Sequence, residues 1–282
     1  MITFKALGYD GRLGNQMFQF AATYGTARRM GYDFFFPLEN CSRYIGTGPQ
    51  GIIDSSNMQV KCDILDCFDV PKMYFIPESE ILVQYNYKEP HFNYDPRILS
   101  IPDSTNLQGY FQTDRYFSEF RSEIISEIFK FRPEIIQKSN SYWEEKISGF
   151  LDGADPVSIH VRRTDYVSKS DYHAPCSMEY YTKAISEFGP ECKFLIFSDD
   201  IEWCKENFIG PKYLVVESGD PYLDLRIMNM CSHHIIANST FSWWAAWLNP
   251  KENKKVICPS VWFGPASRDN YQDVCSEEWI KI

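Results

Sequence analysis

The sequence predicts an α/β protein with doubly wound parallel sheets in two halves, and three observations carry that expectation. Short β-branched or aromatic strands alternate with helical patterns along most of the 282 residues, which is the signature of repeated βαβ units. Each well-patterned strand of the second half ends in polar residues: His160 to Asp165, Asp199-Asp200, and Asn238-Ser239-Thr240. A turn-rich stretch, Asp152-Gly153-Ala154-Asp155-Pro156, separates the halves, so domains are expected at 1–152 and 153–282.

The elements follow in order. Ile2 to Leu7 reads as a first strand, followed by a loop punctuated by Gly8, Gly11 and Gly14. Asn15 can cap a helix whose buried stripe is Met17, Phe18, Phe20, Ala21, Tyr24 and Ala27, at the three-four spacing of a helical face. Gly31 stops it, and Asp33 to Pro37 is a second strand. Residues 39–102 mix prolines, aromatics and polar residues, with a short strand near Ile81–Tyr85 and a turn at Tyr94-Asp95-Pro96. Asn106 to Phe111 is a further strand, Asp114 to Phe131 has a helical pattern, and a polar helix follows Arg132-Pro133. In the second half, strands are expected at 157–161, 193–197, 213–216, 234–237 and 256–259, with helices between them.

Composition excludes several classes. A formal net charge of −10 opposes binding to a nucleic-acid backbone, while leaving room for a local basic pocket. Nine cysteines show no C-x-x-C pair and no zinc spacing, and read as reduced thiols, with Cys176 and Cys231 in the core. No run of 18 apolar residues can span a membrane, and the N-terminus lacks a signal-peptide core. A cytosolic protein is the expectation.

The chemistry collects at strand ends, because parallel sheets bind ligands beyond the carboxyl ends of their strands. Arg162 and Arg163 can fork onto phosphate oxygens. Taken alone, the pair reads better as solvated surface ions; the strand context and convergence with two more polar strand ends reverse that and favour a diphosphate site. Asn238, Ser239, Thr240, Phe241 and Ser242 lead into a helix, whose free N–H groups and dipole favour an anion, although Ser239 or Ser242 can also serve as an ordinary cap. Trp243, Trp244 and Trp247 lie at helical spacing and read as core. His233-His234 reads as a strand start with one buried, satisfied ring. Gly11-Arg12-Leu13-Gly14-Asn15-Gln16 has neither G-x-G-x-x-G nor G-K-[ST] spacing, but it sets Arg12 and Asn15 at a sheet edge. No D-x-D pair offers a metal clamp, so no metal or cofactor is expected; arginines and a helix N-terminus can neutralise a departing diphosphate instead.

Four blocks, in order, carry a family resemblance: G-R-L-G-N-Q-M-F-Q-F-A at Gly11–Ala21, H-V-R-R-T-D-Y at His160–Tyr166, F-S-D-D at Phe197–Asp200, and N-S-T-F-S-W-W-A-A-W-L at Asn238–Leu248. With them the chain resembles the bacterial and animal α-1,2-fucosyltransferases. The H-x-R-R motif also recurs in α-1,6- and protein O-fucosyltransferases, whereas the first and last blocks narrow the resemblance to the α-1,2 branch. Arg12 departs from the second glycine of many members and matches the O-fucosyltransferases.

The resemblance implies a GT-B-like variant, with two Rossmann-like halves facing a nucleotide-sugar cleft. It implies inverting, metal-independent transfer of L-fucose from GDP-β-L-fucose to the 2-hydroxyl of a terminal galactose. Arg162 would bind the β-phosphate and stabilise departing GDP. His160 and Asp200 would lie against the guanosine with Asp199 close by, and Ser239 to Ser242 would hold the diphosphate. Arg12 and Asn15 would reach phosphate and fucose, with Arg163 in the same donor site and Asn15 assisting catalysis. Asp165 is the candidate general base, or equally an ion-pair lock on Arg162 or Arg163. The segment 40–110 matches no block, and acceptor choice is expected there. The lack of an anchor implies work on a soluble or lipid-linked glycan, with peripheral contact at the inner face of a membrane. Another linkage on the same donor, or a silent GDP-fucose binder, are the alternatives.

Overall fold

A computed structural model describes residues 1–40, 52–53, 59–60, 62–168, 170–267 and 270–282. Residues 41–51, 54–58 and 61, part of the segment expected to choose the acceptor, lie outside the described residues. Two compact units divide the chain: Met1–Arg132 with Asp269–Ser276, and Pro133–Arg268 with Glu277–Ile282.

The first unit holds a parallel five-stranded sheet in the order β5-β2-β1-β7-β6: β1 Ile2–Thr3, β2 Phe34–Pro37, β5 Phe75–Ile76, β6 Tyr85–Lys88 and β7 Thr105–Gln108. A separate antiparallel pair joins β3 Ile52–Ile53 to β4 Gln59–Val60. β1 is shorter than expected, because turns closed by Leu7 N–H to Phe4 O and Tyr9 N–H to Ala6 O lift the chain off the sheet. The helix Leu13–Met30 is buried on nearly every side, which is why its apolar stripe extends to small and amide residues. Gly25 lets it lie against the next segment: a Cβ there would stand 2.3 Å from the Tyr116 carbonyl oxygen. The helix ends in a Schellman motif, with Gly31 left-handed at φ 67° and Tyr32 N–H bonded to Ala27 O. The expected helix over 114–131 is broken into short turns, since Phe117 takes φ −150° and ψ 0° and leaves helical geometry.

The second unit holds a parallel six-stranded sheet: β8 Asp155–Val161, β9 Cys192–Ser198, β10 Tyr213–Val215, β11 His233–Ile235, β12 Val256–Cys258 and β13 Ile280–Lys281. Its order, β10-β9-β8-β11-β12-β13, is the 3-2-1-4-5-6 arrangement of a dinucleotide-binding sheet. The strand order reverses between β8 and β11, which makes their carboxyl ends the crevice of the sheet. Val157, Ile159 and Val161 are buried, as expected of a central parallel strand covered on both faces.

The units divide between Arg132 and Pro133, ahead of the expected boundary at Asp152–Gly153. The helix Pro133–Tyr142 packs on the helix Pro221–Met230 of the second unit, and the Tyr142 hydroxyl accepts from Glu217 N–H at 3.1 Å. Asp152 (φ 49°) and Gly153 (φ 82°) are therefore the left-handed turn into β8. The tryptophans are core: Trp243, Trp244 and Trp247 are buried, and Trp243 also meets the Trp279 ring at 5.2 Å. His234 is buried and satisfied, accepting from Asn249 Nδ2 through Nε2 and donating from Nδ1 to Ser158 Oγ, both at 2.8 Å. No helix among the described residues is long and apolar enough to cross a membrane.

Candidate active site

β8 and the two residues after it bring three polar side chains, His160, Arg162 and Arg163, to the sheet's carboxyl edge. His160 is buried, and its Nδ1 lies 2.9 Å from Ser242 Oγ. Burial, with the Arg162 cation adding to it, pushes the imidazole pKa well down, so the ring is neutral. Beyond Val161 come two arginines, each locked by carboxylates. Arg162 donates to Asp165 at 2.5 Å through Nη2 and pairs with Asp199 at 2.9 Å through Nη1. Arg163 donates from Nε to Asp200 at 3.0 Å and stacks its guanidinium 4.1 Å above the Trp203 ring.

β9 supplies the two carboxylates. Asp199 is the hub: besides Arg162 it accepts from Arg163 N–H at 2.9 Å and from the Thr164 hydroxyl. Burial alone would raise its pKa, but the Arg162 cation and these hydrogen bonds outweigh that and hold it below the usual carboxylate range. Asp200 caps the helix Ile201–Asn207, accepting from Trp203 N–H at 3.3 Å.

β11 leads to the third element. The Asn238 side chain is fully engaged inside the protein, donating to Ala174 O and Trp262 O, each at 2.9 Å. Only its backbone and the residues after it can face a ligand. Ser239 stands at the N-cap of the helix Thr240–Leu248 without a side-chain cap bond, so the first-turn N–H groups stay uncapped by it. Thr240 and Phe241 are half-buried there, and the Phe241 ring lies 5.7 Å from His160. The Tyr166 hydroxyl, donating to Asn238 O at 3.1 Å, ties the β8 loop to the β11 loop across the switch point.

Thus His160, Arg162, Arg163, Asp165, Asp199, Asp200 and the 238–242 turn share one edge in the second unit. Arg12 and Asn15 lie in the first unit, in the loop and helix start beyond β1. Of the two readings of Asp165, the geometry shows the arginine lock. Burial pushes the Cys176 thiol up to about 11, which fits a core residue and not a nucleophile.

Several contributors are not obvious from pattern. Gln16 donates to Gly11 O and Gln19 to Asp10 O, each at 3.0 Å, so two buried glutamines fasten the glycine loop to its own helix. Their signal is amides at i and i+3 inside an otherwise apolar stripe. Thr164, Tyr166 and Trp203 support the arginines, and an aromatic residue near each arginine is the only local hint. A cavity of about 490 Å³ lined by Cys192, Phe194, Phe208, Lys212 and Tyr213 opens at the amino ends of β9 and β10, on the opposite edge from these groups.

Comparison with known families decides what kind of enzyme carries this edge. The profile of "Glycosyl transferase family 11" matches residues 3–282. The chain belongs to that family. The chain is similar to an alpha-1,2-colitosyltransferase of Escherichia coli, 30% identical over 96% of this chain and 96% of the relative. The O-antigen biosynthesis glycosyltransferase WbnK of Escherichia coli is 28% identical over 97% and 98%. Galactoside alpha-(1,2)-fucosyltransferase 2 of Pongo pygmaeus is 27% identical over 84% of this chain and 67% of the relative. Among solved structures, POFUT1 in complex with GDP superposes with a TM-score of 0.54 at 13% identity, covering 90% of this chain and 96% of that one. That likeness concerns the fold, and it bears out the expected GT-B-like α/β class.

Proposed function

We propose that this glycosyltransferase moves L-fucose from GDP-β-L-fucose to the 2-hydroxyl of a terminal galactose, with inversion and without a metal. The observation that carries the reading is the switch point of the second unit: a doubly locked arginine beside the start of an uncapped helix. A nucleoside diphosphate leaving group develops negative charge as its bond to the sugar C1 breaks. Arg162 offers N–H groups from a fixed position, and the helix Thr240–Leu248 offers backbone N–H groups and its dipole. Because Asp165 and Asp199 hold the guanidinium in place before substrate arrives, little reorganisation accompanies the reaction. The neutral His160 ring, fixed on Ser242, holds the turn and faces the nucleoside without adding charge.

Arg163, Asp199 and Asp200 complete the donor side, and Ser239 to Ser242 hold the diphosphate. Arg12 and Asn15 bind the transferred sugar and phosphate. The acceptor proton leaves as the 2-hydroxyl oxygen attacks C1. Asp165, paired with Arg162 through Oδ1, is the carboxylate that takes it. The reaction belongs in the cytosol or at the inner face of a membrane, on a soluble or lipid-linked glycan.

A second donor deserves equal testing, since the E. coli colitosyltransferase matches over nearly the full length. The assay is GDP release in EDTA from GDP-fucose and from GDP-colitose, across β-galactosides and a mannoside control. The expected result is galactoside-dependent release from GDP-fucose that EDTA leaves unchanged. Release only from GDP-colitose would move the donor assignment, and release without any galactoside dependence would overturn the acceptor.

A further inference from the structure

The loop after β7 contains a buried glutamine whose side chain has one hydrogen bond among the described residues, and it goes to Asn15. Gln112 is 6% exposed, and its Nε2 donates to Asn15 Oδ1 at 3.0 Å. Its own Oε1 is buried with no hydrogen-bond partner among the described residues. Leaving a buried amide oxygen unpaired is destabilising, so the residue is poorly explained by packing.

The surrounding loop is shaped to bring it there. Gly109 at φ 144° and Phe111 at φ 54° turn the chain sharply, the latter an unfavourable conformation for a bulky side chain. Glu89 holds that turn by accepting from Tyr110 N–H at 2.7 Å and Phe111 N–H at 2.9 Å. The buried Phe111 ring packs edge-on against Phe4 and Tyr116. On the other side, the Asn15 carboxamide lies directly over Gly11, where a Cβ would stand 2.5 Å from Nδ2. With Oδ1 held by Gln112, Nδ2 and its two N–H donors make no hydrogen bond to any described residue.

We infer that Gln112 is a positioning residue that fixes the Asn15 amide with its NH2 outward, as a donor to an oxygen of the sugar nucleotide. An unheld amide could turn over and present a carbonyl to that oxygen, which would repel it. The inference rests on the reading of Asn15 as a donor-binding residue, and the test separates the two.

Steady-state transfer kinetics on the full chain compare Asn15→Asp, Gln112→Glu, Gln112→Leu and the Asn15→Asp/Gln112→Leu double variant. An ionised Gln112→Glu carboxylate only accepts, and so draws the Asn15 NH2 inward. Gln112→Glu at about pH 8.5 is expected to lose about 10- to 100-fold in kcat, by analogy with other supporting-shell partners, with the acceptor KM changed by less than about twofold. The deficit narrows towards about pH 5.5, because the protonated carboxyl can again donate to Oδ1. Gln112→Leu, which removes the unpaired oxygen, folds with a Tm at or above wild type and still loses turnover at both pH values. The double variant is no slower than Asn15→Asp alone. A slow Asn15→Asp beside folded Gln112 variants of wild-type kcat, or a double variant whose losses multiply, overturns the positioning role. Wild-type kcat in Asn15→Asp overturns the reading of Asn15 itself.

Discussion

Arg162→Ala is expected to lower kcat by about two to three orders of magnitude, the loss typical of removing one preorganised donor to a developing anion. That corresponds to roughly 2.7–4 kcal/mol of transition-state stabilisation. The same variant leaves Asp165 and Asp199 without their cation, but Asp199 keeps the Arg163 N–H and the Thr164 hydroxyl, so the protein remains folded. Arg162→Lys is expected to recover little. A lysine presents a point charge on a flexible stem and cannot span Asp165 and Asp199 as the fork does. Steady-state kinetics with saturating galactoside, alongside a thermal melt, separates lost turnover from lost fold. Near-normal turnover in Arg162→Ala would remove Arg162 from the reaction.

The second large effect falls on Asp199. It joins the ends of β8 and β9 by accepting from Arg162, from Arg163 N–H and from Thr164. Asp199→Ala is expected to cost about 2–3 kcal/mol of stability, the upper range for hydrogen bonds to a charged group, tempered because the carboxylate is partly exposed. Turnover falls with it, since Arg162 loses one of its two anchors. The pH dependence has a definite sign. The folded-state pKa is depressed, so the contribution is fully present above the unfolded carboxylate pKa of about 4 and is lost as pH falls through the lower folded value. The stability gap between wild type and Asp199→Ala should therefore hold constant above about pH 5 and close below about pH 4 in urea titrations. A gap unchanged by acid would mean that Asp199 has no such favoured charge.

Legibility differed between the two halves for physical reasons. β8 and β9 are long runs buried on both faces, and their abrupt change to polar residues marks the sheet edge in sequence. The tryptophan block also reads correctly, because helical spacing places all three rings in the core. In the first unit, β1 and β5 are only two residues long, too short for any periodicity to register. The expected helix over 114–131 fails at Phe117, whose backbone is set by tertiary packing and not by local propensity. The domain boundary moved because Asp152–Gly153 looks like a linker but serves as a helix-to-strand turn.

The site shows the same division. Arg162, Asp199 and the 238–242 turn are legible as strand ends, yet which carboxylate holds which arginine is a matter of three-dimensional placement. Asp165 and Asp199 share Arg162, while Asp200 takes Arg163. The Asn238 side chain is an internal brace, because its amide meets two carbonyls from distant loops. Gln112 reaches Asn15 across 97 positions, a separation at which no single-sequence pattern could link them.

The central claim, a diphosphate site at the switch point of the second sheet, is tested most directly by a crystal structure with GDP. The expected result is phosphate oxygens within hydrogen-bond reach of Arg162 and of backbone N–H groups in the first turn of Thr240–Leu248, with the base on the His160 side. GDP bound elsewhere, with Arg162 still locked to Asp165 and Asp199 and touching no phosphate, would contradict it.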